Sequence, residues 1–368
     1  MPGGFDGLRV LITNITLDWP SGTVVYARDL ALELARRGHR PVLYTWHAGS
    51  VARELRDAGI AVTTDLWSIR ERPDVIHGHH PALLRGALLR FPGVPAIAFC
   101  HDHTSDWDRT LVHPAIVRYV GVSELCVQRL LAEGAPPDRT SLMPNFVDLA
   151  RLPVRTELPS RPNRALVFSN YASGATHLPA IEEACRRMGL SLDVIGRQSG
   201  RLEAHPEELL GRYDLVFAKA KAAMEAMAAG CAVILCDFGG VGPLVDSASF
   251  DDLRPRNFGF AALTDALTPE NLIHQMQRYD ASDARVVRDR VRTECGLPAA
   301  VDRLVDLYRA AGAAEIGPAS SGRLAIVWYR LTSSLAAGYR RRFDGRKNLP
   351  RLLRPLHTVA RRLARRSL

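Results

Sequence analysis

Short apolar runs alternate with amphipathic stretches along most of this chain. Leu8–Thr13 (LRVLIT), Pro41–Thr45, Ile60–Thr63, Asp74–His77 (DVIH), Pro95–Phe99, Tyr119–Val122 and Thr140–Met143 read as strands. Between them, Gly22–Arg37, Ser50–Ala58, Pro81–Leu89 and Ser123–Glu133 place apolar residues at helical spacing, and Gly38 stops the first of these helices. The pattern then restarts. Arg164–Ser169, Leu192–Ile195, Leu215–Phe217 and Ala232–Leu235 are the strands; His177–Met188, Ala222–Ala229 and Leu272–Tyr279 are the helices. Such alternation implies an α/β protein with parallel sheets covered on both faces. Pro153–Pro162 carries three prolines and reads as a linker. The expected divisions are residues 1–155, residues 156–317 and a tail, 318–368. Two doubly wound units would leave their ligand sites at the C-terminal strand ends, inside the cleft between them.

The length, 368 residues with 47% hydrophobic, exceeds one ordinary core and agrees with two domains. Met1–Leu8 shows no secretory leader, and no apolar run approaches the ~20 residues of a membrane span. Cys100, Cys126, Cys185, Cys231, Cys236 and Cys295 are scattered without CxxC spacing, a reduced pattern. The expected location is therefore cytoplasmic. Charge is split. Residues 318–368 hold thirteen Arg and Lys against one acid, or +12, while the rest holds 35 basic and 38 acidic groups, or −3. Within the tail, Leu349, Leu352, Leu353, Leu356, Val359, Ala360 and Leu363 fall at helical spacing among arginines, with Pro355 interrupting. A basic amphipathic helix reads as a peripheral contact with an anionic membrane, here the inner face of the cytoplasmic membrane. A solvated tail and a helix packed across the domains are the other readings. No recognition helix or basic-aromatic sheet motif points to nucleic acid.

The densest chemistry lies in Tyr213–Leu244, YDLVFAKAKAAMEAMAAGCAVILCDFGGVGPL. One acid, Glu225, sits in an otherwise apolar helix whose first turn holds Lys219 and Lys221. A carboxylate can accept two hydroxyl protons from a vicinal diol. Small residues and lysines at a helix N-terminus suit a phosphate. Diol plus phosphate describes a nucleotide, although a surface acid on an ordinary βαβ helix would read the same way. MEAMAAGCAVILCDFGG resembles the donor-site segment of the group 1 (family four) glycosyltransferases, retaining enzymes with a GT-B fold. Their motif is two glutamates eight residues apart, then a small-residue helix and a glycine pair. Glu225 matches the second glutamate, which holds the ribose in that family, and Gly239 and Gly240 match the glycine pair. Phe217 stands where the first glutamate would be.

Other stretches extend the resemblance. WPSGTVVYARDL is similar to the family's glycine turn, with Gly22 offering backbone N–H and Ser21 replacing its usual partner glycine. DVIHGHH, containing the cleft candidate His79, resembles the family's D-V-V-H-x-H segment, and FCHD resembles the segment whose histidine contacts the donor sugar and the reaction centre. By position His101 matches the catalytic histidine best, and His103 follows. YVGVSELC and PNFVD resemble the elements closing the first domain, which brings in Ser123, Glu124 and Asn145, with Phe146 in place of glycine. The family's Arg and Lys for the diphosphate are absent after ALVFS, where Asn170 and Ser173 stand. The candidates to compensate the diphosphate are Arg197, Lys219 and Lys221. Leu253–Phe260 (LRPRNFGF) is basic and aromatic without a matching motif.

The resemblance implies transfer of a sugar from a nucleotide-diphosphate donor to an acceptor hydroxyl, without a cofactor or required metal. A lipid-linked acceptor in cell-envelope glycan synthesis is what the basic tail adds. Two alternatives stay open: a non-catalytic nucleotide-sugar-binding protein of the same fold, and a metal-dependent hydrolase built on the five histidines of IHGHHP and CHDH.

Overall fold

The structure, a computed structural model, describes residues 7–201, 203, 205–314, 316 and 329. The helix expected within Leu349–Leu363 lies outside them. The elements up to Gly312 belong to one compact unit.

The first half supplies strands β1 (Arg9–Thr13), β2 (Thr16–Leu17), β3 (Arg40–Tyr44), β4 (His47–Ala48), β5 (Ala61–Thr63), β6 (Val75–His79), β7 (Ala96–Cys100), β8 (Ile116–Gly121) and β9 (Thr140–Leu142). Its helices are α1 (Gly22–Arg36), α2 (Ser50–Asp57), α3 (Pro81–Arg90) and α4 (Glu124–Ala132). Seven strands pair in the order β5-β3-β1-β6-β7-β8-β9, every pair parallel. The chain runs outward from β1 to β5 and then returns to β6 on the other side of β1. That reversal opens a crevice at the C-terminal ends of β1 and β6.

The second half supplies β10 (Arg164–Phe168), β11 (Ser191–Ile195), β12 (Leu215–Ala218), β13 (Ala232–Asp237) and β14 (Gly240–Leu244), with helices α5 (Leu178–Met188), α6 (Ala220–Ala229), α7 (Phe250–Leu253), α8 (Pro269–Met276), α9 (Ala281–Glu294) and α10 (Leu297–Gly312). The sheet order is β11-β10-β12-β13-β14, parallel except for β14. The reversal here falls between β10 and β12. The segment after β13, read from sequence as a glycine turn, forms the antiparallel edge strand β14. Pro243 is tolerated there because an edge strand has one unpaired side.

Alanines let α6 lie close to its sheet: Ala223, Ala226, Ala228 and Ala229 are fully buried between β12, β13 and α9. Gly230 ends the helix at φ 98°, and a Cβ there would meet the Arg155 carbonyl oxygen at 2.5 Å. Chain order assigns residues 156–317 to the second half, but α10 returns to the first. Leu297, Val301, Leu304 and Tyr308 pack into the first core, beside Val10, Val24 and Leu30. The outgoing and returning segments meet in one place: the Val147 N–H donates to the Cys295 carbonyl and the Leu297 N–H to the Val147 carbonyl, both at 2.9 Å.

Candidate active site

The two sets of C-terminal strand ends face each other across a pocket of about 80 Å³. His101, His103 and Ser123 line it from the first half; Lys219, Asn257 and Phe260 line it from the second. His103 and Phe260 meet edge-on across the gap, with centroids 5.8 Å apart. The loop following α7 bridges the halves as well. The Glu124 N–H donates to the Pro255 carbonyl at 3.1 Å, and the Ala220 N–H to the Phe258 carbonyl at 2.7 Å. Ala220, Asn257 and Phe258 adopt left-handed φ of 52°, 56° and 49°. Non-glycine residues held in that region cost of order 1–3 kcal/mol each and gather at functional sites. LRPRNFGF, without a motif in the sequence, is thus a wall of the pocket; its mixed basic and aromatic composition was the signal available.

His101 follows β7, and its backbone N–H donates to Asp108 Oδ2 at 3.2 Å. Burial, then the nearby His80, depress the imidazole to about 3. It is therefore neutral at physiological pH, and its Nε2 is enclosed without a hydrogen-bond partner. Asp108 was not among the sequence candidates. Burial first, then the neighbouring Asp102, raise its carboxyl to about 7, and its Oδ1 is likewise unpartnered. His79 lies behind His101 at 4.6 Å between ring centroids and is fully buried. Among the described residues no group of three or more His, Cys, Asp or Glu is placed to hold a metal ion.

The lysines of α6 diverge. Lys219, at the N-cap, faces the pocket with Nζ 4.4 Å from the Phe260 ring centroid. It also lies 3.1 Å from Asp237 Oδ2, at the end of β13, and Asp237 is fully buried. His177, buried on the other side of Asp237, is 3.5 Å away. Lys221 points between the halves. Its ammonium donates to Asp29 Oδ2 of α1 at 3.2 Å and to the Phe146 carbonyl at 2.9 Å. Asp29 also receives Arg28 at 2.7 Å and Arg151 at 3.4 Å, and Arg151 bonds Glu207. The expectation that Lys221 would offer free charge to a diphosphate therefore meets a buried lysine already engaged in joining the halves. Glu225, one turn further along α6, lies 3.7 Å from Lys221 and its side chain is 17% exposed. Burial, partly countered by Lys221, raises its carboxyl to about 7. It sits at the interface of the halves, beside Asp29 and Arg28, and does not line the pocket.

The remaining candidates separate. Arg197 lays its guanidinium over Trp19 of the first half at 4.3 Å, and its backbone N–H donates to Asn170 Oδ1 at 3.2 Å. Gly22 is exposed at the start of α1, where a Cβ would meet nothing within 4 Å. Ser123 caps α4, its Oγ accepting from the Cys126 N–H at 3.3 Å. The Asn145 N–H donates to Asn257 Oδ1 at 3.1 Å, and Arg254 donates to the Asn145 carbonyl at 2.8 Å. Gly239 and Gly240 have a packing reason to be glycine. A Cβ on Gly239 would strike the Phe260 ring at 2.8 Å, and Gly240, at φ 141°, abuts the Asp265 carbonyl.

Residues 20–151 match Glycosyltransferase Family 4. Among solved structures, a glycosyltransferase from Rickettsia africae ESF-5 superposes with a TM-score of 0.60 at 13% identity, over 84% of this chain and 100% of that one. Anabaena Alr3699/HepE in complex with UDP-glucose gives 0.62 at 12% identity, over 82% of this chain and 100% of its own. AviGT4, a glycosyltransferase involved in avilamycin A biosynthesis, gives 0.54 at 18% identity, over 84% and 99%. No curated protein matches by sequence.

Proposed function

We propose that this chain, which has the GT-B fold and matches Glycosyltransferase Family 4 over residues 20–151, transfers a sugar from a nucleotide-diphosphate donor to an acceptor hydroxyl. One observation carries the reading: strand-end histidines of one half and a strand-end lysine of the other line a single pocket. His101, neutral and unpartnered at Nε2, would hydrogen-bond the transferring sugar. Lys219, which lines the pocket together with Arg256, would neutralise the departing diphosphate, and stabilising such developing charge is usually the largest catalytic contribution. Glu225 would hold the ribose from deeper on the same helix. Retention of configuration follows from the family resemblance, and no metal is assigned a role. HepE binds UDP-glucose in this fold, which supports a uridine nucleotide among the donors to try first. The basic segment 318–368 supports an acceptor held at an anionic membrane surface, as in cell-envelope glycan synthesis; among the described residues no helix is long and apolar enough to cross a membrane.

A non-catalytic nucleotide-sugar-binding role is the second reading. It is favoured by Lys219 and Lys221 both facing buried carboxylates. Calorimetric titration of UDP-, GDP- and ADP-sugars, with hydrolysis of each, separates the two. Binding that Lys219→Ala weakens by about tenfold or more, accompanied by turnover, supports transfer. Binding without turnover with any acceptor establishes the second reading, and no binding of any donor removes both.

A further inference from the structure

The histidines behind the pocket carry more polarity than packing requires. His77 and His79 of β6 are fully enclosed. His77 Nδ1 lies 2.7 Å from the phenol oxygen of Tyr308 on α10, and His77 Nε2 lies 2.7 Å from His79 Nε2. Phe99 stacks on the His77 ring at 4.1 Å, and Tyr26 covers His79 and His101 at 5.3 and 4.9 Å. Thr13 fixes the His79 backbone from both sides: its Oγ1 donates to the His79 carbonyl at 2.8 Å and accepts from the His79 N–H at 3.0 Å. The chain of contacts ends at two unsatisfied atoms, His79 Nδ1 and His101 Nε2. Enclosing such a nitrogen without a partner carries a desolvation cost that an apolar side chain would avoid.

We propose that Tyr308 and His77 form a positioning relay that sets the tautomer of His79, so that His79, enclosed behind His101, holds a fixed N–H at Nδ1 and a fixed ring against the histidine that lines the pocket. Burial keeps the Tyr308 phenol protonated, its ionisation pushed far up. Its O–H donates to His77 Nδ1. The proton of His77 then resides on Nε2 and is donated to His79 Nε2. His79 must therefore carry its own proton on Nδ1, the nitrogen left without a partner. Burial, with the neighbouring histidines, depresses His77 and His79 well below the usual imidazole value. Both rings stay neutral, and the tautomer alone carries the information. The purpose of the relay rests on the transferase reading; its geometry does not.

Tyr308→Phe keeps the ring and removes the hydroxyl. Long-range proton–nitrogen spectra of the full chain labelled at histidine nitrogen read the tautomers without any substrate. The expected wild-type pattern is His77 protonated at Nε2 and His79 at Nδ1, unchanged from about pH 6 to 8. In Tyr308→Phe both become mixtures. Donor hydrolysis in that variant falls at least about tenfold in kcat with KM within about twofold, the signature of lost positioning rather than lost binding. His79→Asn, whose amide nitrogen stands near the Nδ1 position, keeps more turnover than His79→Ala. Unchanged tautomers in Tyr308→Phe, or the opposite tautomers in the wild type, overturn the relay. Mixed tautomers with an unchanged kcat overturn its positioning role. A wild-type protein that hydrolyses no donor counts against the transferase reading, and the relay is then decided by the spectra alone.

Discussion

Replacing Glu225 with glutamine should make folding stability less sensitive to pH. The carboxyl is raised from its ordinary 4.5 to about 7, with burial as the main cause and Lys221 opposing it. Between these values the folded protein holds a proton that the unfolded chain has released. By linkage, stability therefore falls as pH rises through that window. Each tenfold change in proton affinity corresponds to about 1.4 kcal/mol, so the full window is worth about 3 kcal/mol at most. The side chain is 17% exposed, and solvent relaxation there brings the expectation to about 2 kcal/mol. Glutamine fills nearly the same volume and does not titrate. Lys221 keeps Asp29 and the Phe146 carbonyl in the variant. Urea unfolding of both proteins at about pH 5 and about pH 8 gives the comparison. Relative to wild type, Glu225→Gln should gain about 2 kcal/mol between the two conditions. A gain below about 0.5 kcal/mol, or a loss, would refute the placement of this carboxylate in a desolvated interface. The same variant tests the ribose assignment. Wild-type binding of a nucleoside diphosphate should tighten as pH rises past about 7, as the carboxylate forms, while the variant binds weakly and with no such slope. Equal affinity in the two proteins removes Glu225 from the donor site.

Asp29→Ala leaves Arg28 and Lys221 enclosed, and Arg151 half-buried, around a missing carboxylate. It should destabilise the protein by about 3–5 kcal/mol in urea unfolding, and a loss under about 1 kcal/mol would show that the cluster relaxes into water. Removal of residues 318–368 should abolish most binding to anionic vesicles in a sedimentation assay while donor hydrolysis survives. Unchanged vesicle binding would detach the basic tail from any membrane role.

What the sequence settled was local. A strand buried on both faces writes itself as a continuous apolar run, and a helix on a sheet as a 3.6-residue stripe, so Val75–His79, Ala96–Cys100 and α6 were visible within a residue or two. His101 and Lys219 could be placed at strand ends for the same reason, because each directly follows such a strand. Other helices leave a fainter trace: α9 buries only Ala284, Val287 and Val291 of its fourteen residues, and α10 runs directly up to the basic tail. Only the tertiary structure decided which partner each polar group has. Lys221 meets Asp29 from 192 positions away, and His77 meets Tyr308 from 231. Neither pairing has a local signature, because it exists only once α10 has crossed back and the two halves have closed. That closure sets the desolvation felt by Glu225, and the return of α10 encloses His77. It also determines that one lysine of α6 faces the pocket while the other binds the halves together.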